Sequence, residues 1–258
     1  MKAVIFAGGL GTRLSEETGV RPKPMVEIGG KPILWHIMKY YSSFGVNEFI
    51  ITCGYKSNVI KEYFANYTLH RSDITFDVAN HKMEIHRNGG ENWKITLVET
   101  GEETMTAGRL RRVKDYIGHE TFFLTYGDGL TDLDLHKTVK FHKKEGALVT
   151  LTAVQPPGRF GVFTLAEGQT KLDAFNEKPK GDGAWINGGY FVVDPKVFDY
   201  EMPDTVMWEE GPLKEFSQKG LLSAYSHDGF WQNMDTLRDK MKLEEMWSTK
   251  NAPWKKWS

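Results

Sequence analysis

Residues 1–14 read MKAVIFAGGLGTRL, and this stretch decides the fold. The run from Ala3 to Ala7 is β-rich and continuously apolar, the mark of a strand buried on both faces of a parallel sheet. It ends in Gly8, Gly9 and Gly11, with Thr12 and Arg13 just beyond. In an open parallel sheet, ligands sit beyond the C-terminal ends of the strands, and the loop after the first strand is a preferred phosphate site. Glycines in that loop offer unhindered backbone N–H groups to an anion. A tight turn that needs positive φ would use the same residues, so the glycines by themselves leave both readings open. Two familiar phosphate loops fail on specific residues: the dinucleotide fingerprint needs a third glycine where Leu14 stands, and the Walker loop needs Gly-Lys followed by Ser or Thr.

Outward from this loop, Lys23 stands between Pro22 and Pro24. Prolines fix φ and bias the preceding residue towards extended backbone, so the lysine is presented from a stiffened segment suited to meeting a phosphate. An isolated Pro-Lys-Pro could equally be a solvated surface turn. Next, Pro32 followed by apolar Ile33, Leu34, Ile37, Met38 and Tyr41 predicts a helix, EFIITC a second buried strand, SNVIKEYFANY a helix, and TFFLTYGDG a strand ending in glycine and aspartate. This alternation points to an α/β fold: a Rossmann-like mixed, mostly parallel sheet flanked by helices. ITFDVAN, KMEIHRN and ITLVET alternate apolar and polar residues, which predicts a small antiparallel β-ribbon across residues 74–99. RLRRVKDYI is helical; beyond residue 146, ALVTLTAVQ, GVFTLAEG, AFNEKP and WINGGYFVVD are strand-like, and LKEFSQKG and TLRDKMKLEEMWSTK are helical. We therefore expect a single domain over residues 1–258, with a nucleotide-binding half to about residue 145 and a second half, about 146–258, that closes the site.

Of the 258 residues, 40% are apolar and 26% charged, ordinary for a globular protein with a sizeable core. Lys and Arg number 33 against 34 Asp and Glu, a net charge of -1, so no basic excess points to nucleic acid and any anion site must be local. Cys53 is the only cysteine, which excludes an intrachain disulfide or a cysteine-based zinc site and reads as a buried structural thiol. No apolar stretch reaches the roughly 18 residues of a membrane span, and the N-terminal apolar run is too short for a signal peptide, so the expected location is the cytoplasm with no membrane partner. The eight histidines have no zinc-binding spacing, His36 falls in a helical pattern as a structural residue, and no serine lies in a nucleophile elbow.

Two aspartates follow strand-like runs: Asp128 in Thr125-Tyr126-Gly127-Asp128-Gly129 and Asp235 in Phe230-Trp231-Gln232-Asn233-Met234-Asp235. A carboxylate between glycines is also ordinary turn chemistry. Only folding could bring the two together. Mg²⁺ is a hard cation commonly held by one or two protein carboxylates, with water and phosphate completing its octahedron.

AGGLGTRL followed by RPKPMVEIGGKPIL, then TYGDG, FNEKP, INGGYFV and FWQNMDT, resembles the sugar-1-phosphate nucleotidylyltransferases. Across essentially its whole length the chain is similar to the branch of that family that joins CTP to glucose 1-phosphate. The resemblance implies transfer of CMP to the sugar phosphate, giving CDP-glucose and pyrophosphate for dideoxysugar and O-antigen-type polysaccharide precursors. It further implies Mg²⁺ as cofactor on Asp128 and Asp235, and Arg13 and Lys23 as catalytic cations on the α-phosphate and leaving pyrophosphate. The nucleotide would lie against Ala7, Gly8, Gly9, Gly11, Thr12, Thr104, Arg109, Gly127 and Asp128. The sugar phosphate would lie against Gly161, Glu177, Lys178, Asn187 and Gly188. In isolation, Glu177-Lys178-Pro179 would be a solvated turn and Asn187-Gly188-Gly189 a hairpin turn. Arg111 and Arg112 either add phosphate charge or form a solvated helix face. The resemblance also implies a homo-oligomer, with the ribbon and the tail APWKKWS as packing surfaces. Three residues depart from the family pattern: Phe6 replaces a leucine, Ala107 a glycine and Asn233 a proline. Competing readings are another nucleotide such as UTP, a regulator that binds sugar nucleotide without catalysis, and an oxidoreductase, which Leu14 opposes.

Overall fold

Ala3–Phe6 forms strand β1 with all four side chains buried. Ala3 and Ile5 pack into one apolar cluster, and Val4 and Phe6 into another on the opposite face. The computed structural model describes residues 1–9, 11, 14–87, 89–156, 158, 162–163, 170, 175–177, 180 and 184–257, with backbone alone at 15, 16, 162, 175 and 176.

Six further strands join β1 in one sheet: β2 (Glu48–Cys53), β3 (Lys94–Glu99), β4 (Phe122–Tyr126), β5 (Val149–Val154), β6 (Ile186–Val193) and β7 (Leu222–His227). Their order is β7-β5-β6-β4-β1-β2-β3. Strand β6 alone runs antiparallel to its two neighbours, and the other pairs are parallel, so the sheet is mixed and mostly parallel as the sequence predicts. Helix α1 (Ile33–Ser42) covers the first face, with Ile33, Leu34 and Ile37 fully buried beside Ile5; each such burial contributes about 1.5–3 kcal/mol relative to exposure. Pro32 caps this helix without interrupting it. Helices α2 (Ser57–Ala65), α3 (Thr106–Arg112), α4 (Leu135–Glu145) and α5 (Leu237–Ser248) complete the flanking set used below. Among the described residues, no helix is long and apolar enough to cross a membrane.

Three expectations are corrected. ITLVET is not part of the ribbon: it is β3, an edge strand pairing in parallel with β2 from Glu48–Lys94 to Cys53–Glu99. Only Asp73–Asp77 and Lys82–Arg87 form the antiparallel ribbon. A half-covered edge strand alternates apolar and polar residues just as a ribbon strand does, and pattern alone could not separate them. The predicted helix RLRRVKDYI is broken at Val113, with α3 before it and a short helix Lys114–Ile117 after. Of the tail's two tryptophans, Trp254 is turned into the core of its own chain. Trp254 is fully buried, stacked on Phe230 and Trp247, and its indole N–H faces His36 Nδ1 at 3.3 Å. With Nδ1 facing that donor, His36 Nε2 donates to the Ile28 carbonyl at 2.8 Å, and burial lowers the imidazole pKa to about 4. His36 is thus a neutral core residue. Cys53 is likewise buried, its thiol pushed up to about 11 by burial.

Sheet order determines where a ligand can sit. From β1 the chain moves to one side for β2 and β3, then returns to the other side of β1 for β4. The crevice beyond the C-terminal ends of β1 and β4 is therefore the topological switch point.

Candidate active site

The loop after β1 is fastened on both sides. Ala7 N donates to Thr52 O at 3.1 Å, Tyr55 N to Gly8 O at 3.2 Å, and Gly127 N to Phe6 O at 3.0 Å. Behind it lies Arg109 of α3, almost fully buried. Its guanidinium donates to Gly8 O (3.0 Å), Cys53 O (3.2 Å), Glu102 O (3.0 Å) and Thr100 Oγ1 (2.7 Å). Burial, with the nearby Arg112 charge, holds its pKa below the usual guanidinium value. A Cβ on Gly8 would stand 2.1 Å from Arg109 Nη1, so this glycine is required by the guanidinium behind the loop. A Cβ on Gly9 would meet nothing within 4 Å, so at this position the backbone faces open space.

That space is a cleft of about 570 Å³. Ala7, Gly8, Gly9, Gly11, Lys23, Thr104, Arg109, Gly127 and Asp128, nine of the residues expected from the sequence, all line it. Thr12, Arg13, Gly161 and Lys178 lie outside the described residues. The wall also includes Glu102, Glu103, Tyr126 and Met207, which the sequence reading missed. Tyr126 was legible, being adjacent to Gly127; Met207 comes from a distant loop with no motif to mark it. The Tyr126 hydroxyl donates to Glu209, whose carboxyl pKa is raised by burial.

Lys23 and Asp128 line this wall, and Asp235 meets them through Lys23. Lys23 opens a single 3-10 turn, Lys23–Met25, held by Met25 N to Pro22 O at 2.8 Å. The turn presses on the loop after β4, where a Cβ on Gly127 would lie 2.8 Å from Pro24 Cγ. Asp235 is brought in by a second small ribbon, Gly129–Thr131 against Trp231–Asn233, in register Gly129 to Asn233. Met234 N then donates to Asp128 O at 2.8 Å, which extends the ladder to the aspartate itself. Immediately after Asp235, Thr236 caps α5 in a reciprocal capping box with Asp239, and Asp239 Oδ2 also accepts from Asp235 N at 3.2 Å. The aspartate is thereby fixed between a strand end and a helix cap.

The outcome is one ammonium shared by two carboxylates: Lys23 Nζ lies 2.6 Å from Asp128 Oδ2 and 2.5 Å from Asp235 Oδ1. Two oxygens on one nitrogen at those distances are within about 5 Å of each other, so residues distant in sequence share a site. Asn233 Nδ2 donates to the other oxygen, Asp235 Oδ2, at 2.5 Å. Burial pulls the Lys23 ammonium towards its neutral form, but the charge and hydrogen bond of Asp128, then those of Asp235, outweigh it, and its pKa is raised. The paired carboxylates fit a divalent cation: they already hold a cation between them, and two carboxylates suffice when phosphate and water supply the other ligands.

On the sugar side the structure places Asn187 and Gly188 at the start of β6, which runs opposite to β4 and so begins at the edge where β4 ends. Asn187 Oδ1 accepts from Gly189 N at 2.9 Å, and Gly188 O accepts from Trp231 Nε1 at 2.7 Å, tying this turn to the ribbon that carries Asp235. Glu177 is exposed. Arg111 and Arg112 both pair with Asp204, at 2.7 and 2.5 Å, so neither is simply solvated.

A model of the nucleotidyl transferase family matches residues 2–229. The chain is 60% identical to glucose-1-phosphate cytidylyltransferase of Salmonella typhimurium, over 258 residues that span both chains in full. It is 47% identical, again across the full length of both, to a probable glucose-1-phosphate cytidylyltransferase of Bacillus subtilis. Among solved structures, HddC from Yersinia pseudotuberculosis superposes with a TM-score of 0.69 at 25% identity, covering 95% of this chain and 99% of that one. UDP-glucose pyrophosphorylase in complex with UDP-glucose has the same fold, with a TM-score of 0.66 at 16% identity over 97% and 99% of the two chains.

Proposed function

We propose, from the premise that the chain belongs to the nucleotidyl transferase family, that it transfers CMP from CTP to α-D-glucose 1-phosphate, giving CDP-glucose and pyrophosphate. The observation that carries this reading is the meeting of Asp128 and Asp235 on Lys23, with Lys23 and Asp128 lining the switch-point cleft. A protein that only bound sugar nucleotide would need neither the second carboxylate nor the lysine between them.

A sugar-phosphate oxygen attacks the α-phosphorus in line; the bond to the bridging oxygen of the β-phosphate breaks, and that electron pair leaves with pyrophosphate. A phosphate monoester has its second pKa near ~6, so the nucleophile is already ionised at neutral pH and no histidine base is required. The tasks left to the protein are alignment and charge stabilisation. The backbone at Gly9 admits the nucleotide phosphates, Lys23 meets the charge on the α-phosphate and leaving group together with Arg13, and Thr104 stands at the wall where base and ribose lie. Asn187, Gly188 and Glu177, with Gly161 and Lys178, receive the glucose phosphate. Asp128 and Asp235 would hold Mg²⁺, which would supply neutralisation of phosphate charge. We infer a cytoplasmic reaction whose product supplies dideoxysugar precursors of O-antigen type.

We read the assembly as a homo-oligomer through the ribbon Asp73–Asp77/Lys82–Arg87. Phe76 pairs with Met83 and Ile74 with Ile85 across it, and Phe76, Met83 and Ile85 are each more than 40% exposed. A two-stranded ribbon with one open apolar face is marginal alone, and a second copy would cover it.

The decisive experiment is pyrophosphate release by the purified chain with Mg²⁺, across CTP, UTP, dTTP, ATP and GTP against several sugar 1-phosphates. CTP with glucose 1-phosphate should be the best pair, because polar groups built around one base are left unpaired by another. Faster turnover of UTP or dTTP would overturn the cytidylyl assignment, and no turnover of any pair would overturn the transferase reading.

A further inference from the structure

Lys23 has a place in the structure that its role on phosphate does not explain: its ammonium sits between the two carboxylates, within hydrogen-bond distance of an oxygen of each. Carboxylates gathered from two separate segments repel one another, and with nothing between them one would be driven to protonate or the loops to part. Here the ladder from Gly129–Asn233 to Met234 N–Asp128 O holds the backbones together, and the ammonium balances the side chains. The lysine is only 11% exposed, and the proline-bounded turn that carries it packs on Gly127, so its backbone is anchored beside the aspartates.

We propose that Lys23 is a tethered place-holder for the divalent cation: before substrate arrives it keeps Asp128 and Asp235 assembled, and it must leave them for the metal to bind. This rests on the assignment of the two aspartates as metal ligands. An ammonium nitrogen 2.5–2.6 Å from both oxygens and a Mg²⁺ at roughly 2.0–2.1 Å from them cannot share one position. The ammonium released by this exchange lies beside the cleft in which the phosphates bind. Lys23 therefore serves first the aspartates and then the phosphates, and the metal and the nucleotide each favour the same lysine position. Two ligands that select one state of the protein bind with positive coupling.

The test is metal binding in the absence of nucleotide, with Mn²⁺ as the probe and free Mn²⁺ read by electron paramagnetic resonance, on the full chain and three variants. Lys23→Met removes the charge and keeps the length. It should bind Mn²⁺ about tenfold more tightly than the wild type, within the range usual for a competition between two ligands of a site. Asp128→Asn and Asp235→Asn should each lose the same binding. On the wild-type chain itself, which avoids any folding defect in a variant, saturating Mg²⁺ should raise the rate of reductive methylation of Lys23, followed by peptide mass spectrometry. If both Asp→Asn variants lose Mn²⁺ but Lys23→Met binds no more tightly than the wild type and Mg²⁺ leaves Lys23 methylation unchanged, the place-holder role is wrong and the metal assignment stands. If the Asp→Asn variants bind Mn²⁺ as well as the wild type, both ideas fall together.

Discussion

Two cations border the same cleft, and their surroundings differ in kind. Arg109 is buried behind the loop after β1 and donates to three carbonyls and a hydroxyl. Lys23 stands in front of the loop after β4 and pairs with two carboxylates. Carbonyls inside a protein have no other donor to turn to, so the arginine's five fixed N–H groups make a permanent fastening. Carboxylates at the rim of a cleft can exchange one cation for another, so the lysine's contact can be given up. The partner, and not the charge, separates the residue that builds the site from the residue that works in it.

The comparison is strained hardest at the aspartates. Asp128→Asn or Asp235→Asn should lower kcat by about a thousandfold or more, as expected when a fixed electrostatic contact to the transition state is lost. The double variant should be far less damaged than the product of the singles, because residues that act as one unit are not additive. Turnover measured at saturating Mg²⁺ for the four proteins decides it: multiplicative losses would mean two separate sites.

A smaller effect is expected at Lys23, and it separates the two cations. Lys23→Ala should lower kcat/KM by about a hundredfold, the size of one lost transition-state contact. Thermal stability should fall only slightly without Mg²⁺ and recover when Mg²⁺ is added, since a ligand of the folded state stabilises it by mass action. Arg109→Lys should do the reverse. One ammonium cannot serve four buried acceptors, and a loss of about 2–3 kcal/mol, or roughly 5–10 °C in Tm, follows from the unpaired carbonyls. Its kcat should change less than that of Lys23→Ala, with the KM for nucleotide raised as the loop at Gly8 loosens. A calorimetric scan and a nucleotide titration of both variants suffice; an Arg109→Lys protein with unchanged Tm and a kcat lower than that of Lys23→Ala would move Arg109 from scaffold to substrate.

Much of this arrangement was legible before the fold was known, and the reasons differ residue by residue. The apolar run Ala3 to Ala7 reads as a strand covered on both faces, and Ala3–Phe6 is one. Asp128 and Asp235 each followed a strand-like run, which places a residue at a sheet edge. Their meeting depends on the register of Gly129–Thr131 with Trp231–Asn233, a long-range pairing that no local pattern encodes. Arg109 carries a basic side chain in a helical segment, and nothing in such a pattern tells a solvated arginine from one turned inward onto Cys53 and Gly8. The glycine at position 8 had a visible cause in principle, but the object it makes room for is 101 residues away in the chain. Periodicity marks neither strand β7 nor helix α4, because LLSAYSH has no sustained apolar-polar alternation and LHKTVKFHKKE is mostly polar, and each is only half covered. The tail APWKKWS sets tryptophans among lysines, a pattern as suited to packing on a partner as on its own chain, and only the fold shows Trp254 and Trp257 closing on His36 from the opposite end of the chain.

A second pair of cations supplies the weakest test and bounds the rule from the other side. Arg111 and Arg112 pair with a carboxylate, as Lys23 does, but Asp204 and both arginines are each more than a third exposed. The hydrogen bonds from Arg112 and then Arg111 lower the Asp204 pKa, but water screens an ion pair at the surface, so the contact is weak. Asp204 also holds the wall of the cleft through its backbone, Met105 N donating to Asp204 O at 2.7 Å, and that bond survives any change of side chain. Asp204→Asn should therefore leave kcat/KM within about twofold of wild type, the scale on which exposed pairs act, with Tm barely moved. The measurement is kcat/KM for CTP at low and at high salt. A drop of tenfold or more, with Tm unchanged, would mean that Asp204 normally restrains arginines able to reach the nucleotide phosphates, and that exposure alone does not disqualify a cation from the site.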